Sequence, residues 1–147
     1  MRRMIARTEE VVLTSSMPVR MIAAVDDDSR VRESLQSLLE SAGYLPLLYS
    51  SAEEFLCSGR LLEISCLIVD MRMPGMGGIE LQRRVRVERP GLPLFFISAH
   101  QDAAARELAL KEGAIDFLYK PFDSAGLLRA VARVLEDEAD SIGTTGI

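Results

Sequence analysis

Four apolar runs of the chain each end in polar side chains that could take part in chemistry. In chain order these side chains are Asp26, Asp27 and Asp28 together, then Asp70, Ser98 and Lys120. Neighbouring carboxylates disfavour each other's ionised form. Three of them in a row beside an apolar run therefore indicate either open water or a positive charge that is expected there.

The chemistry that suits this set is phosphoryl transfer with a divalent cation. Carboxylate oxygens without thiols or imidazoles are typical ligands of Mg²⁺, and a bound cation reverses the repulsion between the acids. Asp70 can act as a nucleophile and give an aspartyl phosphate. Ser98 can donate a hydrogen bond to a phosphoryl oxygen, and Lys120 supplies a compact positive charge. Phosphoryl transfer asks a protein mainly for such positioning and electrostatic stabilisation.

Each motif also has a simpler interpretation. The three aspartates alone could cap the helix that follows them, Asp70 alone could be a turn residue, and Lys120 alone could be a surface side chain. The loop PGMGGIE lacks the glycine spacing of a dinucleotide site. Ser98 lacks the nucleophile elbow of a serine hydrolase. A shared position at the ends of several predicted strands favours a single site over these separate roles.

The elements that must position these side chains alternate along the chain. Short apolar runs predict strands over 21–25, 45–49, 66–69, 94–97 and 116–119. Helical patterns or capping signals follow each strand and predict helices over 31–42, from 51 onward, and over 79–89, 103–112 and 123–137. This alternation predicts an α/β fold with a parallel sheet covered by helices on both faces. In such folds functional groups gather beyond the carboxyl ends of the strands.

The composition limits the function classes. The chain has 147 residues, 48% hydrophobic and 27% charged residues, which fits one globular domain. The net charge of −5 without a basic block gives no support to nucleic-acid contact. No apolar run approaches the roughly 18–20 residues that cross a bilayer. The two cysteines, Cys57 and Cys66, are expected to be packing residues in a reducing cytoplasm.

The two ends of the chain are expected to lie outside the domain. Residues 1–19 start with a basic MRRMIAR, but Thr8, Glu9 and Glu10 interrupt the apolar stretch that a signal peptide needs. We expect a poorly ordered extension there. Residues 138–147 end in a Gly/Thr-rich sequence and are expected to form a flexible tail. The domain itself is predicted to span residues 20–137.

Four segments of the chain, taken together, resemble the receiver domain of two-component response regulators. They are VDDD, LIVDMRMPGMGGIEL, FFISAH and GAIDFLYKPF, each after an apolar strand, and they span roughly residues 20 to 137. The spacings and the FLYKPF ending are similar to the FixJ-like branch of the CheY-like superfamily. The resemblance implies a five-stranded sheet of order 2-1-3-4-5 in a doubly wound, flavodoxin-like fold with five helices.

The resemblance also implies a metal site. Asp70 would be the phosphoacceptor and would share Mg²⁺ with Asp27, which binds directly, and Asp26, which acts mainly through water. The backbone carbonyl of Arg72 would complete the ligands from the protein. Asp28 occupies a variable position of the family and is not counted as a ligand.

Three further residues receive roles from the resemblance. Ser98, where the family more often has threonine, and Lys120 would bind the phosphoryl group, and the Lys120–Pro121 bond would be cis. Phe117 falls at the aromatic switch position. Arg72 and His100 lie at positions that tune dephosphorylation in the family, and the only histidine is otherwise expected to be an exposed loop residue.

The function implied is a signalling switch. A sensor histidine kinase or phosphotransfer protein would pass a phosphoryl group to Asp70, and the change would alter the surface around the fourth helix, fifth strand and fifth helix, with a homodimer on phosphorylation as one outcome. The chain would not be an enzyme with turnover substrates. The alternatives are a degenerate receiver that only binds partners, and an aspartate-nucleophile phosphatase, which Arg72 opposes because that enzyme needs an acid there. With no helix-turn-helix after residue 137, we expect a stand-alone receiver, with a piece of a longer regulator as the alternative.

Overall fold

The computed structural model describes residues 19–145, which form alternating strands and helices. The strands are β1 (Met21–Val25), β2 (Leu45–Tyr49), β3 (Cys66–Asp70), β4 (Leu94–Ser98) and β5 (Asp116–Tyr119). The helices of this region are α1 (Ser29–Ser41), α2 (Ala52–Cys57), α3 (Gly78–Glu88), α4 (Ala103–Lys111) and α5 (Ser124–Thr145). The predicted α/β alternation is confirmed.

The five strands form one parallel sheet in the order β2-β1-β3-β4-β5. Val25 of β1 lies beside Val69 of β3, and Phe96 of β4 lies between Val69 and Phe117 of β5. The expected sheet order is therefore confirmed. The central position of β1 and β3 brings the ends of these two strands together at one edge of the sheet.

Successive side chains of each strand point to opposite faces of the sheet, and each face has its own core. One core packs Val25, Val69 and Phe96 against α2, α3 and α4. The other packs Ile68 and Phe95 against α1 and α5. Burial of each such side chain contributes about 1.5–3 kcal/mol, so the apolar runs that predicted the strands also hold the helices in place.

Local signals in the sequence fix where several helices begin and end. The Asp28 side chain accepts a hydrogen bond from the Arg30 amide at 2.9 Å and caps α1. Ser51 accepts from the Glu54 amide at 3.0 Å and caps α2, as the capping box predicted. After α1, Gly43 adopts a φ of +88°, a conformation that glycine tolerates without strain.

The last helix departs from the sequence prediction. It runs to Thr145, past the predicted end at Asp137, so the backbone over 138–145 is helical rather than the flexible tail that we expected. The reason is that neither proline nor glycine follows Asp137 until Gly143, so the sequence contains no early stop signal. The expected extension over residues 1–19 falls almost wholly outside the described residues and stays a prediction.

Two further expectations concern cysteines and membranes. Cys66 is buried in β3 as predicted, but Cys57 is exposed at the end of α2, so its assignment as a packing residue is wrong. Cys57 lies one turn after the exposed Glu53 and so on the face of α2 opposite the buried Ala52 and Phe55. None of the helices within the described region has both the length and the hydropathy that crossing a bilayer requires.

Candidate functional site

Three aspartates meet at the carboxyl edge of the sheet. Asp26 directly follows β1 and Asp70 ends β3, and these strands are neighbours, so their ends lie side by side. Carboxylate oxygens of Asp26, Asp27 and Asp70 all lie within 4.8 Å of one another. Asp26 is fully buried and Asp70 is 5% exposed, whereas Asp27 is exposed. The cluster therefore opens to solvent on the side of Asp27.

A single ammonium group reaches into this cluster from β5. Lys120 Nζ lies 2.9 Å from Asp26 Oδ2 and donates a hydrogen bond to Asp70 Oδ1 at 3.3 Å. The Lys120 backbone is held by a hydrogen bond from its amide to the Ser98 carbonyl at 2.7 Å. The Lys120–Pro121 bond is cis, as expected. The ammonium group thus lies between two buried carboxylates that would otherwise repel each other.

The electrostatics of the cluster raise the affinity of Asp70 for a proton. Burial, and then the negative charge of Asp26, raise the pKa of Asp70 from 3.8 to about 7, although Lys120 acts in the opposite direction. Burial alone would lower the pKa of Lys120, but the Asp26 and Asp70 carboxylates outweigh it and the pKa is raised. The site consequently has one more buried carboxylate than its own cation can neutralise, so it favours an added positive charge.

The surroundings of Asp26 fix both oxygens of its carboxylate. Its Oδ1 accepts a hydrogen bond from the Asp28 amide at 2.9 Å, and its backbone carbonyl accepts from Arg32 Nη1 at 2.7 Å. Its buried Oδ2 makes the ion pair with Lys120 but receives no well-formed hydrogen bond from any described residue. Three clustered carboxylates, two of them buried, are a donor set that suits Mg²⁺.

The loop between β3 and α3, residues 71–77, is held from outside by α2. Glu53 Oε2 accepts a hydrogen bond from the Met76 amide at 2.9 Å, and this bond lowers the pKa of Glu53. Gly75 has a φ of +78°, and a Cβ atom at this position would lie 2.6 Å from Glu53 Oε2. Gly75 therefore allows the loop to approach α2 closely enough for the bond to form. Sequence reasoning did not identify Glu53 as a residue of the site, because Glu53 lies in a capping motif and gives no separate signal.

The start of α3 lies directly against the backbone of Asp70. A Cβ atom on Gly78 would be 2.7 Å from a ring carbon of Phe96 and 3.0 Å from the Asp70 carbonyl oxygen. The Gly78 amide also donates to the Met71 carbonyl at 3.0 Å. Gly78 therefore allows the start of α3 to pack closely against β3 and β4.

Two exposed side chains join the β3–α3 loop to the start of α4. Arg72 Nη2 lies 3.1 Å from Asp102 Oδ2, and the Asp102 Oδ1 atom accepts a hydrogen bond from the Ala105 amide at 3.0 Å. Neither this ion pair nor a role for Asp102 was expected from the sequence. Thirty positions separate the two residues, so no local pattern could have found the pair.

Ser98 ends β4 and Phe117 lies within β5. Ser98 is 1% exposed, and its hydroxyl donates to the His100 carbonyl at 3.0 Å and accepts from the His100 amide at 3.1 Å. Phe117 is buried, with its ring 6.0 Å from the ring of Phe96 and 5.5 Å from that of Tyr119. His100 is exposed, as expected. The hydroxyl is therefore held by its own loop and the aromatic ring is held in the core.

Known proteins with a similar sequence or fold extend this description. A family model described as the response regulator receiver domain matches residues 22–132. The transcriptional regulatory protein FixJ of Azorhizobium caulinodans is 39% identical over 128 residues, which cover 87% of this chain and 59% of that protein. The response regulator protein TmoT of Ectopseudomonas mendocina is 42% identical over 116 residues, 79% of this chain and 53% of that protein.

A solved structure agrees with the same assignment. The crystal structure of a response regulator receiver domain protein from Clostridium thermocellum is similar with a TM-score of 0.78 and 28% sequence identity, over 82% of this chain and 98% of that one. The expected resemblance to FixJ is thus reflected in the curated relatives. The chain spans a little over half the length of both curated relatives named above.

Proposed function

The chain belongs to the response regulator receiver domain family, and on that premise we propose that Asp70 accepts a phosphoryl group from the phosphohistidine of a sensor kinase or phosphotransfer protein. The observation that carries this proposal is the position of Asp70. Its carboxylate receives a hydrogen bond from Lys120 at 3.3 Å and shares an oxygen cluster within 4.8 Å with Asp26 and Asp27. The chain is a signalling phosphoacceptor rather than an enzyme with turnover substrates.

The transfer is a displacement at phosphorus. A carboxylate oxygen of Asp70 forms the new O–P bond while the P–N bond of phosphohistidine breaks. The histidine nitrogen leaves with the electron pair of that bond and takes up a proton. Lys120 is already beside Asp70 and stabilises charge on a phosphoryl oxygen. Ser98 joins the phosphoryl group by turning its hydroxyl away from His100.

The proposed metal ligands are oxygen atoms of the same edge. The carboxylates of Asp27 and Asp70 and the carbonyl of Arg72 would hold Mg²⁺, and Asp26 would act mainly through water. When bound, Mg²⁺ neutralises negative charge on the phosphoryl group and on the acids. The clustering of three carboxylates and the raised pKa of Asp70 support this assignment, since an added cation offsets the repulsion between the acids.

Phosphorylation would then bias the domain between two states. Phe117 is the proposed switch residue, and the surface of α4, β5 and α5 is the proposed output, through protein partners or a homodimer. We place the receiver domain at residues 20–137, with α5 continuing beyond it, and we place its action in the cytoplasm, where it makes no nucleic-acid or membrane contact.

Phosphotransfer from a panel of kinases tests the proposal. We expect acid-labile phosphate on the wild-type chain, a requirement for Mg²⁺, and none on Asp70→Asn. The matched control is Asp28→Asn, which changes a neighbouring acid but keeps an oxygen that can cap α1. Equal labelling of Asp70→Asn would refute the assignment of the phosphoacceptor. A wild-type chain that accepts phosphate from no kinase and binds no beryllium fluoride would instead be a degenerate receiver.

A further inference from the structure

The carboxyl-terminal end of α4 is fixed firmly to α3. Gln82 is fully buried, and its Nε2 donates to the carbonyls of Ala109 at 3.1 Å and Glu112 at 3.3 Å. Arg83 makes two hydrogen bonds to the Glu112 carboxylate, at 2.9 and 2.7 Å. Gln82 thus binds one carbonyl in the last turn of α4 and the carbonyl of the residue that follows the helix. This end of the helix is held by both buried and charged contacts.

The turn after α4 is fixed in the same way. Arg86 donates to the Gly113 carbonyl at 3.0 Å and to the Leu92 carbonyl at 2.6 Å. Because Gly113 follows α4 and Leu92 precedes β4, one side chain of α3 joins both connections. Gln82, Arg83 and Arg86 of α3 therefore hold the carboxyl-terminal end of α4 and the turn that follows it.

The amino-terminal end of α4 is connected to the phosphoacceptor loop in a weaker way. The Arg72–Asp102 ion pair joins this end to the β3–α3 loop, and its two side chains are 57% and 35% exposed. Exposed ion pairs contribute little because water and salt screen them. The same Asp102 caps α4 through the amide of Ala105. A change in the partner of Arg72 would therefore alter the capping contact of Asp102 in the first turn of the helix.

We propose that Arg72 is a positioning residue that couples the state of Asp70 to the first turn of α4, by exchanging Asp102 for the phosphoryl group. The inference rests on the proposed function. Arg72 is two residues from Asp70, and phosphorylation replaces a single negative charge by a group carrying about two. A guanidinium binds phosphate oxygens in a geometry that matches its own donors.

The consequence of the exchange follows from the unequal anchoring. Asp102 loses its ion pair to the β3–α3 loop, while the contacts of Gln82 with the far end of α4 stay in place. The helix then moves mainly at its first turn and pivots about its carboxyl-terminal end. The phosphoacceptor edge and the α4 surface are in this way linked by one exposed side chain.

Amide hydrogen exchange in the full chain, followed by NMR with and without beryllium fluoride and Mg²⁺, tests the coupling. In Arg72→Gln without ligand we expect exchange of the Ala105 and Arg106 amides to rise by about two- to five-fold. Beryllium fluoride should raise exchange at the same amides in the wild type and have little further effect in Arg72→Gln. Amides at the Gly113 end should not respond in either protein.

Two variants make the test specific. Asp102→Asn keeps an oxygen that caps Ala105 but loses the charge, so it should reproduce Arg72→Gln, and the double variant should show no additional effect. Arg84→Gln breaks an ion pair with Glu80 of similar exposure, 58% and 56%, and should leave α4 unchanged.

The outcomes separate this inference from the proposed function. A wild-type chain that takes up neither phosphate nor beryllium fluoride would overturn both. Uptake without a response at the first turn of α4, or a response that survives Arg72→Gln, would overturn the coupling alone. A response confined to the Gly113 end would also overturn it, because the carboxyl-terminal end of α4 would then move while the first turn stayed in place.

Discussion

Asp70→Asn should make the metal-free chain more stable at neutral and alkaline pH. Asp70 is 5% exposed and lies beside the buried Asp26, so its ionised form is unfavourable in the folded chain. Asparagine has nearly the same shape and carries no charge. The variant therefore removes an unfavourable charge at the site that we propose for phosphorylation.

The size of the effect follows from the pKa. The pKa of Asp70 rises from 3.8 to about 7 on folding, and at about 1.4 kcal/mol for each pKa unit this costs the folded state about 4 kcal/mol once Asp70 is fully ionised. Solvent at the open side of the cluster screens part of this cost, so we expect a gain of about 2–4 kcal/mol at pH 8. Because the pKa is raised, the cost grows as the pH increases from the unfolded-state value through 7, and it falls below about 1 kcal/mol at pH 4.

Urea denaturation at pH 4, 6 and 8, with and without Mg²⁺, measures this difference. Without metal, the free energy of unfolding of Asp70→Asn should exceed that of the wild type by an amount that increases with pH. Saturating Mg²⁺ should stabilise the wild type more than the variant and narrow the gap, since a ligand that binds the folded state raises its stability.

The reasoning would be refuted by a gain that is independent of pH, since removal of an ionisable charge must follow the titration of that charge. It would also be refuted by a loss of stability at pH 8. Such a loss would mean that the hydrogen bond from Lys120 to an ionised Asp70 outweighs both burial and the repulsion from Asp26.

Three further substitutions test charge and packing at the site and the anchoring of the loop before β3, each by its urea midpoint. Lys120→Met leaves two buried carboxylates without their cation and should cost about 3–5 kcal/mol at pH 8, and less at pH 5. Gly78→Ala places a Cβ atom 2.7 Å from a ring carbon and should cost about 1–3 kcal/mol, whereas its control Gly91→Ala, with no atom within 4 Å, should stay within about 0.5 kcal/mol. Arg89→Met removes hydrogen bonds of 3.0 and 2.7 Å to two loop carbonyls and should cost about 1–3 kcal/mol.

For each substitution, one outcome would contradict the expected change in stability. A Lys120→Met chain as stable as the wild type at pH 8 would mean that the acids are already neutral or hydrated. Equal effects of the two alanine substitutions would mean that the start of α3 can shift away from the sheet. An unchanged midpoint in Arg89→Met would mean that water replaces the lost donors.

The fold and the main site residues could be predicted from the sequence because they depend on few conditions. Five apolar runs separated by helical segments determine the layers, and the carboxyl ends of parallel strands must share an edge. Asp26, Asp70 and Lys120 each directly follow or end such a strand, so their convergence requires no knowledge of loop paths. The position of Asp28 as a helix cap follows from equally local rules.

The remaining features depend on loop paths and side-chain orientations that no local pattern encodes. The residue type of Ser98 predicts a donor for a phosphoryl group, but its orientation toward His100 depends on the path of the β4–α4 loop. The Arg72–Asp102 pair joins two loops that are distant in sequence. Cys57 was misjudged because an apolar neighbourhood in sequence does not show which face of a short helix contacts the core.

The hydrogen bond that the Met76 amide donates to Glu53 makes a surface acid of α2 part of the support for the β3–α3 loop. Glu53 is solvent-accessible, and surface-charge engineering for solubility or crystallisation would treat it as freely replaceable. A lysine there would remove the acceptor for an amide next to the phosphoacceptor turn. Redesign of the α2 surface should therefore leave Glu53 unchanged.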